Sequence, residues 1–298
     1  MIDPYFSIII PTYNRAPLIE KTINSVLQQT YSNYELIIID DGSTDNTKEV
    51  VENIIKSNLS KKIIYKYQKN SERAASRNNG LKNSCGDYII YFDSDDTLYQ
   101  NHLEVANKYI LKHKFPEFIH LRYDIKNSNG EKYAEGPIYK SSPNKQLILG
   151  NFLSCNGVIL KREIALQNQF NEDRVLSAAE DWELWIRLAV KYPIHYINTI
   201  TSSIYNHDAR SVVVTDKKKL IERFNVFLNI IISNKVVVDY YKDKIHLLKC
   251  SCYTYISLHL ALTKKYRKDT LVYLFKGIRQ NIYFIFTRRF FAILKHII

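Results

Sequence analysis

Tyr88-Ile89-Ile90-Tyr91-Phe92-Asp93-Ser94-Asp95-Asp96 sets an unbroken apolar run directly against three carboxylates. A short apolar run stopped by polar residues reads as a strand buried on both faces. The pattern occurs twice upstream. Phe6-Ser7-Ile8-Ile9-Ile10 stops at Pro11-Thr12-Tyr13-Asn14, and Leu36-Ile37-Ile38-Ile39 stops at Asp40-Asp41-Gly42-Ser43. Between these strands the apolar spacing turns helical, at Ile19, Ile23, Val26 and Leu27, then at Val50, Val51, Ile54 and Ile55. Ser43 or Thr44 can cap the second of these helices. A strand near 63–67 and a helix near 73–84 complete the alternation. Strand-helix repetition with nearly continuous apolar strands predicts a parallel sheet covered on both faces, with its chemistry at the carboxyl ends of the strands. The three polar clusters therefore fall on one edge.

Further along, the pattern is mixed, with strands near 118–125, 156–161 and 194–205 and a helix around 181–191. From 215 onward it is helical and basic. The net charge of +12 belongs wholly to that last segment: residues 1–214 carry 25 Lys+Arg and 25 Asp+Glu, whereas residues 215–298 carry 17 and 5. A nucleic-acid binder with a uniformly basic face is excluded by this distribution, and a neutral catalytic body with a basic attachment fits it. Cys85, Cys155, Cys250 and Cys252 form no CxxC pair, so neither a zinc site nor a disulfide framework is indicated and reduced thiols are expected. No basic leader or cleavage site precedes the first strand, and no run approaches the ~18 apolar residues of a spanning helix.

Asp93 and Asp95, leaving a strand in extended conformation, would project to the same side. Two such carboxylates suit a hard divalent cation that also binds phosphate oxygens, Mg²⁺ or Mn²⁺. Alone, D-x-D is also the mark of a solvated acidic turn. Here it follows Ser7-Ile8-Ile9-Ile10-Pro11-Thr12-Tyr13-Asn14-Arg15, Ile39-Asp40-Asp41-Gly42-Ser43-Thr44-Asp45 and Arg77-Asn78-Asn79-Gly80, in that order. Together the four motifs resemble those of the inverting glycosyltransferases of family 2, over about residues 5–210. The resemblance implies a GT-A fold, a Rossmann-like mixed and mainly parallel sheet flanked by helices. It divides the chain into a catalytic domain at 1–214 (1–100 nucleotide-binding, 101–214 acceptor-binding) and a helical basic segment at 215–298.

The same resemblance assigns roles. Tyr13 would pack on a uracil-type base beside the Pro11–Thr12 backbone, and Asp41 would accept from the base edge. Asp93 would hold the ribose, with Ser94 beside it in the nucleotide site. Asp95 would ligate the metal that bridges the two phosphates, and Arg77, or Arg73, would lie near the base or diphosphate. In Ala179-Glu180-Asp181-Trp182 the family's Glu-Asp pair places Asp181 as general base, with Glu180 shaping the acceptor pocket. Trp182 and Trp185 flank this helix start; Trp182 can stack on a sugar face, and the alternative is that both are core. Asn156 would border the donor sugar and acceptor, and His207 would stand near the metal or diphosphate. Read without the upstream motifs, Asp181 is better taken as a carboxylate that caps the helix and complements its dipole.

The implied reaction is single displacement from a nucleoside diphosphate sugar onto a glycan or lipid-linked acceptor in bacterial polysaccharide synthesis. The resemblance implies a UDP-linked donor, Tyr13 and Asp41 fitting a uracil, with dTDP as the alternative. A nucleotidylyltransferase would want a Gly-rich phosphate loop near the N-terminus, which is missing. A degenerate, non-catalytic partner subunit would be expected to lose Asp95 or Asp181, and both are present. Read as one helix, residues 277–298 gather Arg288, Lys295 and Asn281 into a basic strip beside a wide apolar face. Such a helix suits an anionic membrane surface, placing the enzyme in the cytoplasm at the inner face of the cell membrane. Docking back onto the protein is the other reading of that helix.

Overall fold

A computed structural model of the chain describes residues 3–139, 142–206 and 216–297. It divides into two compact units. The first comprises residues 1–141, 152–174 and 192–209, the second residues 142–151, 175–191 and 210–298. The sequence reading assigned 142–151 and 175–191 to the catalytic domain, yet their packing belongs with the C-terminal helices.

The first unit is built on a sheet in the order β3-β2-β1-β4-β8-β6-β9-β5, with β7 on the free side of β6. The strands are β1 (Phe6–Thr12), β2 (Tyr34–Asp40), β3 (Ile63–Tyr67), β4 (Tyr88–Tyr91), β5 (Thr97–Leu98), β6 (Phe118–Asn127), β7 (Lys132–Glu135), β8 (Val158–Lys161) and β9 (Ile194–Asn206). The helices of this unit are α1 (Ala16–Leu27), α2 (Thr47–Ser57), α3 (Glu72–Lys82) and α4 (His102–Lys112), with α6 (Arg162–Gln167) after the short α5 (Pro143–Gln146) of the second unit. Strands β1 to β4 pair in parallel, whereas β8 runs antiparallel to β4 and β6. Every residue of β1, β2 and β4 is buried, as both-face coverage requires. Strand order reverses at β1, which lies between β2 and β4. The polar clusters following β1 and β4 therefore open at a switch point, the usual ligand crevice of such sheets. Helix α3 sits tight against β1: a Cβ on Gly80 would fall 2.2 Å from Cγ2 of Ile9.

The second unit comprises α5, α7 (Glu180–Ala189), α8 (Lys217–Ser233), α9 (Lys235–Tyr241), α10 (Ile245–Leu262), α11 (Arg267–Gln280) and α12 (Arg288–Ile297). Its core is knit through α7. The Trp182 ring stacks on Phe227 at 4.7 Å, and Trp185 is fully buried. The Tyr241 hydroxyl donates to the Asn144 carbonyl at 2.7 Å, and Ser251 Oγ to the Leu149 carbonyl at 2.7 Å. Residues 277–298 are not one helix. Helix α11 ends at Gln280, a 3₁₀ turn spans Ile282–Phe286, and α12 follows. Asn281 Oδ1 caps that turn by accepting from Tyr283 N–H at 3.2 Å. Arg289 points inward and donates to the Ser251 carbonyl and Thr254 Oγ1. Cys250, Ala261, Leu274, Phe284 and Ile293 form a buried cluster in this unit.

Candidate active site

The loops after β1 and β2 are stitched together by their own polar residues. Asn14 takes a left-handed backbone (φ 50°), a conformation asparagine tolerates better than most residues. Its N–H donates to Ser43 Oγ at 2.9 Å, and its Oδ1 accepts from Thr44 N–H at 2.8 Å. The turn leaves Tyr13 46% exposed beside Pro11 and Thr12, so its ring is available to a planar ligand. Asp40 is spent on structure, accepting from Ser43 N–H and from the Tyr65 hydroxyl, both at 2.7 Å. Asp41 differs. Its Oδ1 accepts from Gln68 Nε2 at 2.7 Å and Ser71 N–H at 2.8 Å, which aims the buried carboxylate while Oδ2 keeps its capacity to accept.

Arg77 is 1% exposed on α3, its guanidinium 5.1 Å from the centre of the Phe170 ring. It donates through Nη2 to Asp93 Oδ1 at 2.8 Å. A buried Arg held this way fixes the carboxylate it touches and keeps charge close by for an anionic ligand. Arg73 lies one turn earlier on the same helix, half-buried.

Asp93 and Asp95 do not leave β4 in extended chain. The Asp93 carbonyl accepts from Asp96 N–H at 3.3 Å, closing a turn with Ser94 and Asp95 at its tip. The alternation argument for their common side is thus replaced by turn geometry. Asn156 organises the turn from 63 residues away: its Oδ1 accepts from Asp93 N–H at 3.1 Å, and its Nδ2 donates to Asp96 Oδ2 at 2.6 Å. Both polar atoms of that amide are engaged in the turn, which makes Asn156 a positioning residue. Asp96 Oδ1 accepts from Tyr205 N–H at 2.8 Å. Burial, then the charges of Asp95 and Asp93, hold the Asp96 carboxyl well above the usual carboxylate range.

Three carboxylates in four residues make a negative field that a cation would relieve. Arg15 supplies part of that charge, with Nη2 at 3.7 Å from Asp95 Oδ2. Among the described residues no three His, Cys, Asp or Glu side chains converge on one metal position. Mg²⁺ and Mn²⁺ ask for fewer protein ligands than that, taking one or two carboxylates and filling their remaining positions with phosphate and water. His207 lies outside the described residues.

In the second unit, Asp181 opens α7 half-buried, with Oδ2 accepting from Asn151 Nδ2 at 2.8 Å and Oδ1 from Trp182 N–H at 2.7 Å. Glu180 beside it is 2% exposed. Of the two readings of Trp182, the structure shows the core one. The indole is 6% exposed, donates through Nε1 to the Leu147 carbonyl at 2.8 Å and is stacked on Phe227. Arg15, Asp96 and Phe170 had no assigned role in the sequence. Arg15 and Asp96 both stand inside the quoted motifs and so carried a signal; Phe170 carried none.

Residues 7–166, more than half of the chain, match Glycosyl transferase family 2. The chain belongs to this family. An uncharacterized glycosyltransferase of Rickettsia felis is 36% identical over 205 residues, covering 68% of this chain and 33% of that protein. The chain thus spans about a third of the length of that relative. The Escherichia coli UDP-Glc:alpha-D-GlcNAc-diphosphoundecaprenol beta-1,3-glucosyltransferase WfgD is 33% identical over 242 residues, 81% of this chain and 92% of that one. Among solved structures, S. aureus TarS 1-349 in complex with UDP-GlcNAc superposes with a TM-score of 0.65 at 18% identity, covering 92% of this chain and 90% of that one. Mannosyltransferase PcManGT from Pyrobaculum calidifontis, in complex with GDP-Man and Mn2+, does so at 0.63 and 16%, covering 99% and 86%. These likenesses establish the fold as GT-A.

Proposed function

We propose that this chain is an inverting glycosyltransferase that moves a sugar from a UDP-linked donor to an acceptor hydroxyl. The observation that carries the reading is the set Tyr13, Asp41 and the Arg77–Asp93 pair at the switch point of a family 2 sheet. Tyr13 stacks on the base, Asp41 accepts from its edge, and Asp93, held by Arg77, accepts from ribose hydroxyls. Ser94 lies on the same turn, and Arg73 adds positive charge on the helix that carries Arg77. Asp95, with His207 as a second candidate ligand, would hold Mn²⁺ or Mg²⁺. That ion, when bound, neutralises charge on the departing diphosphate. Asp181 takes the acceptor proton as the hydroxyl attacks, and Glu180 beside it shapes the acceptor site.

The E. coli relative, named for an acceptor on diphosphoundecaprenol, supports a lipid-linked glycan as acceptor here. No described helix is long and apolar enough to cross a membrane. The outward face of α12 instead carries Arg288, Phe291 and Lys295, and the preceding turn exposes Ile282, Tyr283 and Phe286. Aromatic and basic groups alternating on one surface support peripheral attachment at the inner face of the cell membrane.

The decisive experiment is Asp181→Asn assayed against a panel of nucleotide sugars. UDP binding should persist while turnover falls by about 10²–10⁴-fold. Turnover near wild type with binding intact would remove Asp181 from the role of base.

A further inference from the structure

Helices α10, α11 and α12 enclose a hollow of about 410 Å³, far in sequence from every nucleotide-site residue. Leu260 and Ile297 form part of its wall, and Lys264, Arg267, Lys295 and His296 also line it. No Asp or Glu lines it. The acid nearest in sequence, Asp269, is paired with Lys217 at 2.9 Å, and residues 270–298 contain no further acid. Three full positive charges around one concavity repel each other unless an anion joins them. Lys264 also holds a left-handed backbone (φ 56°), where glycine or asparagine would be less strained. Arg267 opens α11, whose first turn has no side-chain cap.

We propose that this hollow is a phosphate-binding site. Its cations supply the charge, and Arg267 is suited to grip two oxygens of one phosphate. The phosphate comes either from an anionic lipid headgroup or from a soluble phosphate. Lys295 lies one helical turn from Phe291 on the exposed face of α12, which favours the lipid. The choice of lipid rests on the membrane reading above; the binding of phosphate does not.

The test uses the full chain and two triple variants of equal charge change. Lys264→Gln/Arg267→Gln/Lys295→Gln alters the hollow. Lys276→Gln/Arg279→Gln/Arg288→Gln alters exposed cations outside it. All six side chains are exposed, so both variants should keep the wild-type circular dichroism. Inorganic phosphate, titrated calorimetrically against chloride of equal ionic strength, should bind saturably to wild type and to the outer variant. The hollow variant should bind it at least about tenfold more weakly. Co-sedimentation with phosphatidylglycerol vesicles then distinguishes the sources. A hollow variant at least about tenfold weaker than the outer one identifies the lipid headgroup, and equal losses beside altered phosphate binding identify a soluble phosphate. Absence of saturable phosphate binding by wild type, or equal phosphate binding by both variants, overturns the site. Neither measurement depends on glycosyl transfer.

Discussion

At the scale of single residues, the site is governed by how few side chains hold the acidic turn. Asn156 satisfies the Asp93 N–H and one oxygen of the buried Asp96 at once. Asn156→Ala should therefore cost about 1–3 kcal/mol in urea unfolding, because it strands a buried carboxylate oxygen and a backbone donor. UDP affinity should weaken with it as Asp93 loses its fixed position. Asp95→Asn should behave differently, since Asp95 lies at the tip of the turn, whose closing bond runs from Asp96 N–H to the Asp93 carbonyl. Its stability should stay within about 0.5 kcal/mol of wild type. Mn²⁺ should cease to tighten UDP binding, an effect that EDTA should reproduce in the wild type. Mn²⁺-dependent tightening that survives the substitution would move the metal elsewhere. The four motifs were legible because each lies directly after a buried strand or on the helix behind it. Asn156 was legible only as part of a motif, because what it holds is distant in sequence. The sugar and core readings of Trp182 were not separable in sequence, because an indole beside a carboxylate has the same appearance whether it faces a sugar or the core.

At the scale of elements, β1, β2 and β4 could be read from their apolar runs because burial on both faces leaves no polar alternation. Strand β5, two residues long, and β7, an edge strand of mostly exposed residues, carried no such signal. The 277–298 segment was read as continuous because a helical wheel assumes continuity. Asn281 and Thr287, the residues that cap the 3₁₀ turn and α12, were the available evidence against it. Gly80 marks where α3 and β1 touch. Gly80→Ala would drive a methyl onto Ile9 at 2.2 Å and should cost about 1–3 kcal/mol. Because α3 also carries Arg77, donor binding should fall in step with the shift of the helix. A wild-type urea midpoint in this variant would show that the contact yields freely.

At the scale of the whole molecule, two imidazoles link stability to pH. His102 and His120 are fully buried, and burial pushes them down to about 4 and about 3, His102 adding its charge against His120. Unfolded, both titrate near 6.5. Their neutral forms are favoured by folding, so the contribution is present above pH ~6.5 and is lost as pH falls toward the folded values. Between pH 7 and pH 5 each histidine should withdraw about 2 kcal/mol of unfolding free energy. Asp96, shifted upward, acts with the opposite sign over part of this range. The diagnostic is therefore the difference between wild type and His102→Asn, whose stability should decline less steeply with acidification. Identical slopes would mean that His102 is solvated in the folded chain.

The second unit is assembled from three separate stretches, and Trp182 in the middle one depends on Phe227 in the last. That interleaving constrains how the protein can be recombined with its relatives. A single crossover near residue 214 would give the chimera a foreign partner for Trp182, Asn144 and Leu149, and the helix that begins at Glu180 would lose its footing. Recombination between family members of this architecture therefore requires co-inheritance of residues 142–151, 175–191 and the C-terminal helices as one block. Laboratory shuffling should recover active hybrids chiefly when all three segments come from the same parent.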